Sequence, residues 1–237
     1  MYHYSFLEMI SFSTGYGKPL LIGVAMTICL AVAGFFIGAF IGIFGAWAKL
    51  SGGYIARSVA DAYTTVLRAI PELLVIFLFY YGGTAAISAL GKFLNVEGTL
   101  GFPGFLAGSL AIGICAGAQH TEVFRGAFNA VHKGEIEAAL ACGMSRFTRF
   151  RRIIMPLTLR HALPGLGNVW QIVLKESALV SAVGIIELMR QTQLAAGSTG
   201  MPFNFYMLAA AAYLGISTIS GFLLQLSERR LSRGVRR

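Results

Sequence analysis

The sequence predicts an all-α integral membrane protein with about five transmembrane helices, and three observations carry that expectation. Of its 237 residues 56% are hydrophobic and only 12% are charged, and the mean hydropathy of +0.70 does not describe a solvated surface. The apolar residues gather in runs long enough to cross a hydrocarbon core of ~30 Å. The basic residues, whose excess gives a net charge of +9, collect on one side of those runs. With so few charges in all, that excess points to membrane orientation rather than to nucleic acid.

Residues 1–19 mix Phe6, Leu7, Met9, Ile10 and Phe12 with polar neighbours, which fits either a short helix on the outer membrane surface or a loose terminus. The segment lacks a basic n-region and an A-x-A site, so the first apolar run is expected to stay as a membrane helix. That run, 20–46, is uncharged and places Gly34, Gly38 and Gly42 four apart on one face, where a second backbone can approach closely. Lys49, Arg57 and Arg68 mark the next connection, and 61–68 reads as a polar helical lead into Pro71 and Glu72. The second span is 71–90 and the glycine-rich stretch 92–101 a turn. The third, 102–120, carries Gly104, Gly108, Gly113 and Gly117 for tight contacts, and ends in His120, Glu122 and Arg125, the last two a candidate local ion pair. A polar loop, 126–160, precedes a fourth span, 162–186, interrupted by Lys175 and Glu176. After a polar connection whose Glu187 and Arg190 meet either a binding protein or each other, the fifth span covers 203–226.

Lys49, Arg57, Arg68, Arg125, Lys133, the arginines of 146–160 and those after 228 share one side, against Lys18, Lys92 and Arg190 on the other. The positive-inside rule puts the amino terminus outside, with the loop and carboxyl terminus in the cytoplasm. With no internal repeat, a transport pathway calls for a second subunit. Cys29, Cys115 and Cys142 have neither paired spacing nor a histidine cluster and read as packing residues.

The cytoplasmic loop is too regular for a passive connection. Residues 134–142 can form a short helix ended by a left-handed Gly143, Ser145 can cap a second helix, and Pro156 is expected to stop it. Phe147, Phe150 and Ile154 recur beside a stripe of Arg146, Arg149 and Arg152, giving a cytoplasmic docking knob. A lipid patch would need no Glu-Ala-Ala and no fixed glycine; docking to a partner protein uses the whole pattern.

Glu137-Ala138-Ala139, Gly143, Ile153 and Pro156 match in residue and spacing the EAA motif of the membrane subunits of binding-protein-dependent ABC importers. Arg68-Ala69-Ile70-Pro71-Glu72, Glu122-Val123-Phe124-Arg125-Gly126, the stretch 160–168 and Lys175-Glu176-Ser177-Ala178-Leu179-Val180-Ser181 resemble the polar amino acid permease family, and within it the Q-type histidine, basic amino acid and opine permeases. The departures are His132 in place of a usual proline, Met155 at a common leucine, and Leu157-Thr158 in place of Gln-Ala.

The resemblance implies a type I ABC importer permease fold, a cytoplasmic ABC ATPase dimer, a second homologous permease subunit in a heterodimer, a periplasmic solute-binding protein and a surround of membrane lipids. Glu137, Ala138, Ala139, Gly143, Ile153 and Pro156 would couple to the ATPase, with Glu137 an anchoring or helix-capping anion and the alanines a contact surface. This chain would bind no cofactor, ATP and Mg being used by the partner. The residues agree: Gly17-Lys18 and Gly91-Lys92 run into Pro19 and Phe93 and lack the earlier glycine of a phosphate loop, and neither a nucleophile with its base nor a metal-ligand cluster is evident.

Charge at the centre of a span costs ~2.5–3.5 kcal/mol. Lys175 and Glu176, with Ser177, therefore face a subunit interface or a wet cavity, either pairing at a gate or meeting substrate. Glu72 either meets a cationic group of the substrate or balances Arg68 four residues earlier. Import of cationic amino acids or opines is the first expectation, with glutamine- or glutamate-type substrates, a non-transport scaffold and a proton-coupled exchanger as alternatives.

Overall fold

The computed structural model describes residues 11, 15–93 and 103–231, and every regular element among them is helical. Most of the expected surface segment 1–19, most of the turn at 92–101, and the basic residues Arg233, Arg236 and Arg237 lie outside the described residues. In chain order the elements are α1 (Gly17–Ser51), α2 (Tyr54–Ala69), α3 (Glu72–Phe93), α4 (Gly104–Asn129), α5 (Lys133–Ala141), α6 (Arg146–Arg149), a π turn (Phe150–Ile154), α7 (Met155–Glu176), a 3₁₀ segment (Ser177–Val183), α8 (Leu188–Thr199) and α9 (Pro202–Leu231).

Length and composition qualify three of these helices to cross a membrane, over Gly17–Ser51, Glu72–Ala89 and Pro202–Glu228. The expected spans at 102–120 and 162–186 are helical over 104–120 and 162–183 but less apolar. Gln119, His120 and Thr121 follow the apolar part of α4, and His161, Asn168, Gln171, Lys175 and Glu176 punctuate α7. The expected loop 126–160 is mostly helix: α4 persists to Asn129 and α7 already begins at Met155.

Proline chemistry sets the break between α2 and α3. Ile70, directly before Pro71, is driven to φ −87°, ψ 138°, out of the helical region that the proline ring obstructs. Arg68 and Glu72 therefore belong to different helices and do not share the helical face that i,i+4 spacing predicts. Glu72 instead opens α3, an acidic residue in a first turn where the helix dipole favours it.

The described residues divide into two compact units. The first takes in the described parts of 1–34, 71–112 and 173–218. Its core joins Leu20 of α1, Leu188, Ala195 and Ala196 of α8, and Phe205 of α9, with the Tyr16 ring edge-on to Phe205 at 5.3 Å. Gly23 admits the α8 backbone, since a Cβ there would lie 2.9 Å from the Leu188 Cα.

The second unit takes in the described parts of 35–70, 113–172 and 219–237. Here the glycine face expected on α1 packs on α4. A Cβ at Gly38 would sit 2.8 Å from the Ala116 Cβ and 3.1 Å from the Gly113 oxygen, and one at Gly42 would collide with His120. Gly117 makes the reciprocal opening on α4, toward Ile41 and Tyr63, and the Tyr63 hydroxyl donates to the Ile114 carbonyl at 2.6 Å. Two helices without a hydrophobic drive between them in lipid gain from this approach through close contact alone.

Gly42→Leu is expected to destabilise the second unit by about 1–3 kcal/mol or more, as overpacking of a closed contact does, and to lower the thermal midpoint of the purified protein. Gly53→Ala is the control: its Cβ meets nothing within 4 Å and its φ is −67°, so the midpoint is expected to stay within a degree or two.

Candidate functional site

The EAA segment lies within the second unit and is built from backbone geometry outward. His132 precedes α5 with φ −65° and ψ 136°, the backbone that proline would impose, so the histidine meets the conformational demand of that position. Gly143 ends α5 at φ +72°. Its N–H donates to the Leu140 carbonyl at 2.9 Å and that of Met144 to the Ala139 carbonyl at 3.1 Å, the paired bonds of a Schellman terminus. Ser145 caps α6 as expected, its Oγ accepting from the Thr148 N–H at 3.3 Å.

Pro156 does not stop the second helix. The Met155 N–H reaches back five residues to the Phe150 carbonyl, and this π turn accommodates the proline, which can stand in the first turn of α7 where a missing N–H costs little. Glu137 sits within α5 and not at its amino end, where Glu135 is the acidic residue of the first turn, so the helix-capping role is excluded. Glu137, Ala138 and Ala141 are exposed, whereas Ala139 is buried inside the chain and cannot be part of an outward contact surface. Ile153 is half-buried. Around them Leu140, Phe147 and Phe150 present an apolar patch, with Phe147 72% exposed, beside the exposed Arg146, Arg151 and Arg152.

A second group lies in the first unit, where α7 ends. Glu176 is only 8% exposed and its Oε2 has no hydrogen-bond partner among the described residues. The Glu72 carboxylate lies within electrostatic reach of it. Lys175 is exposed and lines a cavity of about 270 Å³ with Ala178, Met189, Tyr206, Ala209, Ala210 and Tyr213. Ser177 serves the backbone. It is fully buried, and its hydroxyl donates to the Leu174 carbonyl at 2.7 Å, where the α-helix tightens to 3₁₀ geometry.

Two arrangements were not anticipated. Glu187 is fully buried rather than presented to a binding protein or to the Arg190 guanidinium. Its carboxylate caps α8, accepting from the Met189 and Arg190 N–H groups, both at 2.8 Å, and from Tyr213 Oη at 3.0 Å and Thr27 Oγ1 at 3.2 Å. Arg190 itself reaches Gln193 at 3.2 Å. The other is a charge cluster in the second unit. Lys49 Nζ meets Glu122 Oε1 at 2.6 Å, Asp61 Oδ1 at 2.8 Å and Thr64 Oγ1 at 2.6 Å. The expected Glu122–Arg125 pair is present, at 2.7 and 3.0 Å. A lysine in the last turn of a long apolar helix was the signal, because a buried ammonium requires partners.

A family model described as binding-protein-dependent transport system inner membrane component matches residues 34–233. The chain belongs to this family. The permease subunit is 50% identical over 233 residues to the octopine transport system permease protein OccQ of Rhizobium meliloti, covering 98% of each chain. It is 40% identical over 223 residues to the histidine/lysine/arginine/ornithine transport system permease protein HisQ of Escherichia coli (strain K12), covering 94% of this chain and 97% of that one. A chain in the crystal structure of an amino acid ABC transporter with histidines superposes with a TM-score of 0.80 at 33% identity, covering 97% of this chain and 100% of that chain. The permease subunit is thus the non-catalytic, multi-helix inner membrane component of a bacterial ABC transporter, binds no cofactor of its own, and works with an ATPase and a solute-binding protein on other chains.

Burial pushes the Glu122 carboxyl up, but the hydrogen bonds and charges of Lys49 and Arg125 outweigh it and hold the group below its ordinary value. A depressed carboxylate adds stability above the unfolded value and loses it as pH falls through the folded one. Acidification below the usual glutamate range is therefore expected to lower the thermal midpoint of the permease subunit. Glu122→Gln should cost about 1 kcal/mol at neutral pH, in keeping with partly exposed pairs, and flatten that acid limb.

Proposed function

We propose that this permease subunit moves cationic amino acids or opines inward as one of two homologous membrane subunits, mounted on an ATPase dimer and fed by a periplasmic binding protein. The observation that carries the substrate class is the buried Glu176, whose Oε2 has no hydrogen-bond partner among the described residues and whose carboxylate feels the charge of Glu72. Two acidic groups in one apolar unit favour a positively charged solute and oppose an acidic one. The names of the relatives point the same way, since lysine, arginine and ornithine carry cationic side chains. Lys175, exposed beside its cavity, is the complementary charge for a carboxylate or for the sister subunit.

In this reading the chain crosses the membrane five times, amino terminus outside, with α4 and the α7–3₁₀ element completing the three strongly apolar spans. The polar surfaces of those two elements turn toward protein or water. A scaffold or a stand-alone exchanger would have no use for an EAA segment, and a glutamate-type substrate would be repelled by the carboxylate pair.

The coupling role rests on the exposed α5–α6 knob. Glu137, Ala138 and the apolar patch around Phe147 enter a groove on the ATPase, Gly143 sets the angle between α5 and α6, and Ile153 and Pro156 sit where the knob passes into α7. ATP-driven closure of the ATPase pair pulls on α7 through this joint.

Gly143→Val is expected to reduce ATP-driven uptake at least tenfold in reconstituted vesicles, because a side chain at φ +72° costs ~1–2 kcal/mol and shifts the knob; Gly143→Asn, which tolerates that region, should keep most activity. Wild-type transport and ATPase co-purification in the valine variant would remove the hinge role. For the pathway, Glu72→Gln and Glu176→Gln should each raise the KM for cationic substrates about tenfold while leaving neutral ones within twofold. Unchanged import of every cationic substrate sinks the acidic-pair reading.

A further inference from the structure

The second unit holds a cleft of about 740 Å³ beside α2, lined by Lys49, Arg57, Asp61, Thr64, Thr65, Arg68, Ala69, Glu122 and Arg125. Arg57, Asp61, Thr64, Thr65 and Arg68 recur at three- and four-residue spacing, so they share one face of α2. The charges do not balance, because four basic groups face two carboxylates. Lys49 and Arg125 are consumed by Asp61 and Glu122. The excess therefore resides in Arg57, which donates only its Nε to the Lys49 carbonyl at 3.2 Å, and in Arg68, which has no partner among the described residues. Two guanidinium groups with spare donors along an open cleft form an oxyanion site.

The opposite side of α2 says which oxyanion. Ile55, Val59 and Val66 are exposed there, Ile55 by 79%. An apolar groove of about 520 Å³ runs between α1 and α2, lined among others by Phe40, Phe44, Ala56, Val59 and Tyr63. Lys49 stands in the last turn of an apolar helix long enough to span the membrane, so cleft and groove lie at the edge of the hydrocarbon zone. A helix with a cationic face and a bare apolar face at that level suits the headgroup boundary.

We propose that this region binds an anionic phospholipid, its headgroup phosphate held in the Arg57 and Arg68 cleft and an acyl chain in the α1–α2 groove. The site goes beyond the transport role and rests only on the membrane placement of the family. Its expected consequence is that the assembled transporter keeps this lipid through purification.

The test titrates the purified transporter complex in a neutral detergent with phosphatidylglycerol or phosphatidylcholine and reads retained lipid by native mass spectrometry. Phosphatidylglycerol should be retained at least tenfold better. Arg57→Gln/Arg68→Gln should weaken it about 30-fold, and Arg68→Gln alone about fivefold, as two and one surface charges imply. Equal retention of the two lipids by the wild type overturns the proposal whether or not the double variant assembles, and so does an undiminished preference in either variant. Inorganic phosphate separates the sources. Phosphate binding with no preference for phosphatidylglycerol overturns the lipid assignment. Lipid retained against phosphate, and weakened by Ala56→Phe in the groove, supports it.

Discussion

A charge or an unpaired backbone group cannot be left in hydrocarbon, and most of this structure follows from that constraint. It makes every regular element among the described residues a helix. The same aversion explains why the buried polar side chains are not scattered: Lys49 is enclosed by Asp61, Glu122 and Thr64, and Glu187 is sealed by four donors drawn from three helices and their caps. The glycines serve the same end. With lipid tails as apolar as leucine, α1 and α4 adhere through close contact of their backbones at Gly38, Gly42 and Gly117 rather than through a hydrophobic preference for each other.

Against that background the EAA segment is an exception by construction. Its helices are short, its apolar patch around Phe147 is bare, and its geometry depends on a left-handed glycine and a serine cap instead of burial. Such a segment is defined by local chemistry more than by burial. The burial of Ala139 shows how the motif divides its labour: one alanine fastens α5 to its own chain while its neighbours Glu137 and Ala138 remain outside.

Local signals in the sequence were legible where the relevant chemistry is local. The helical class, the glycine face of α1, the left-handed Gly143, the Ser145 cap and the Glu122–Arg125 pair all follow from residues within a few positions of one another. Features that depend on distant partners were not. Nothing near Glu187 announces that Thr27 and Tyr213 will close over it, and the cluster at Lys49 joins residues as far apart as 49 and 122. Proline misled twice for a different reason. Pro71 broke a helix that spacing would have continued between Arg68 and Glu72, while Pro156 failed to break one because a wider turn absorbed it.

That wider turn has a geometric consequence for the whole chain. A turn closed five residues back holds one residue more than the α-helix requires, and each residue advances the helix by ~100°. The face that α7 presents is therefore out of phase with α6 by about that angle, and a helical wheel drawn straight through residues 146–176 assigns the inward and outward sides wrongly. Losing a single residue from 150–154 would therefore not turn α7: it would remove the surplus residue, close the turn four residues back, and leave the faces of both helices as they are.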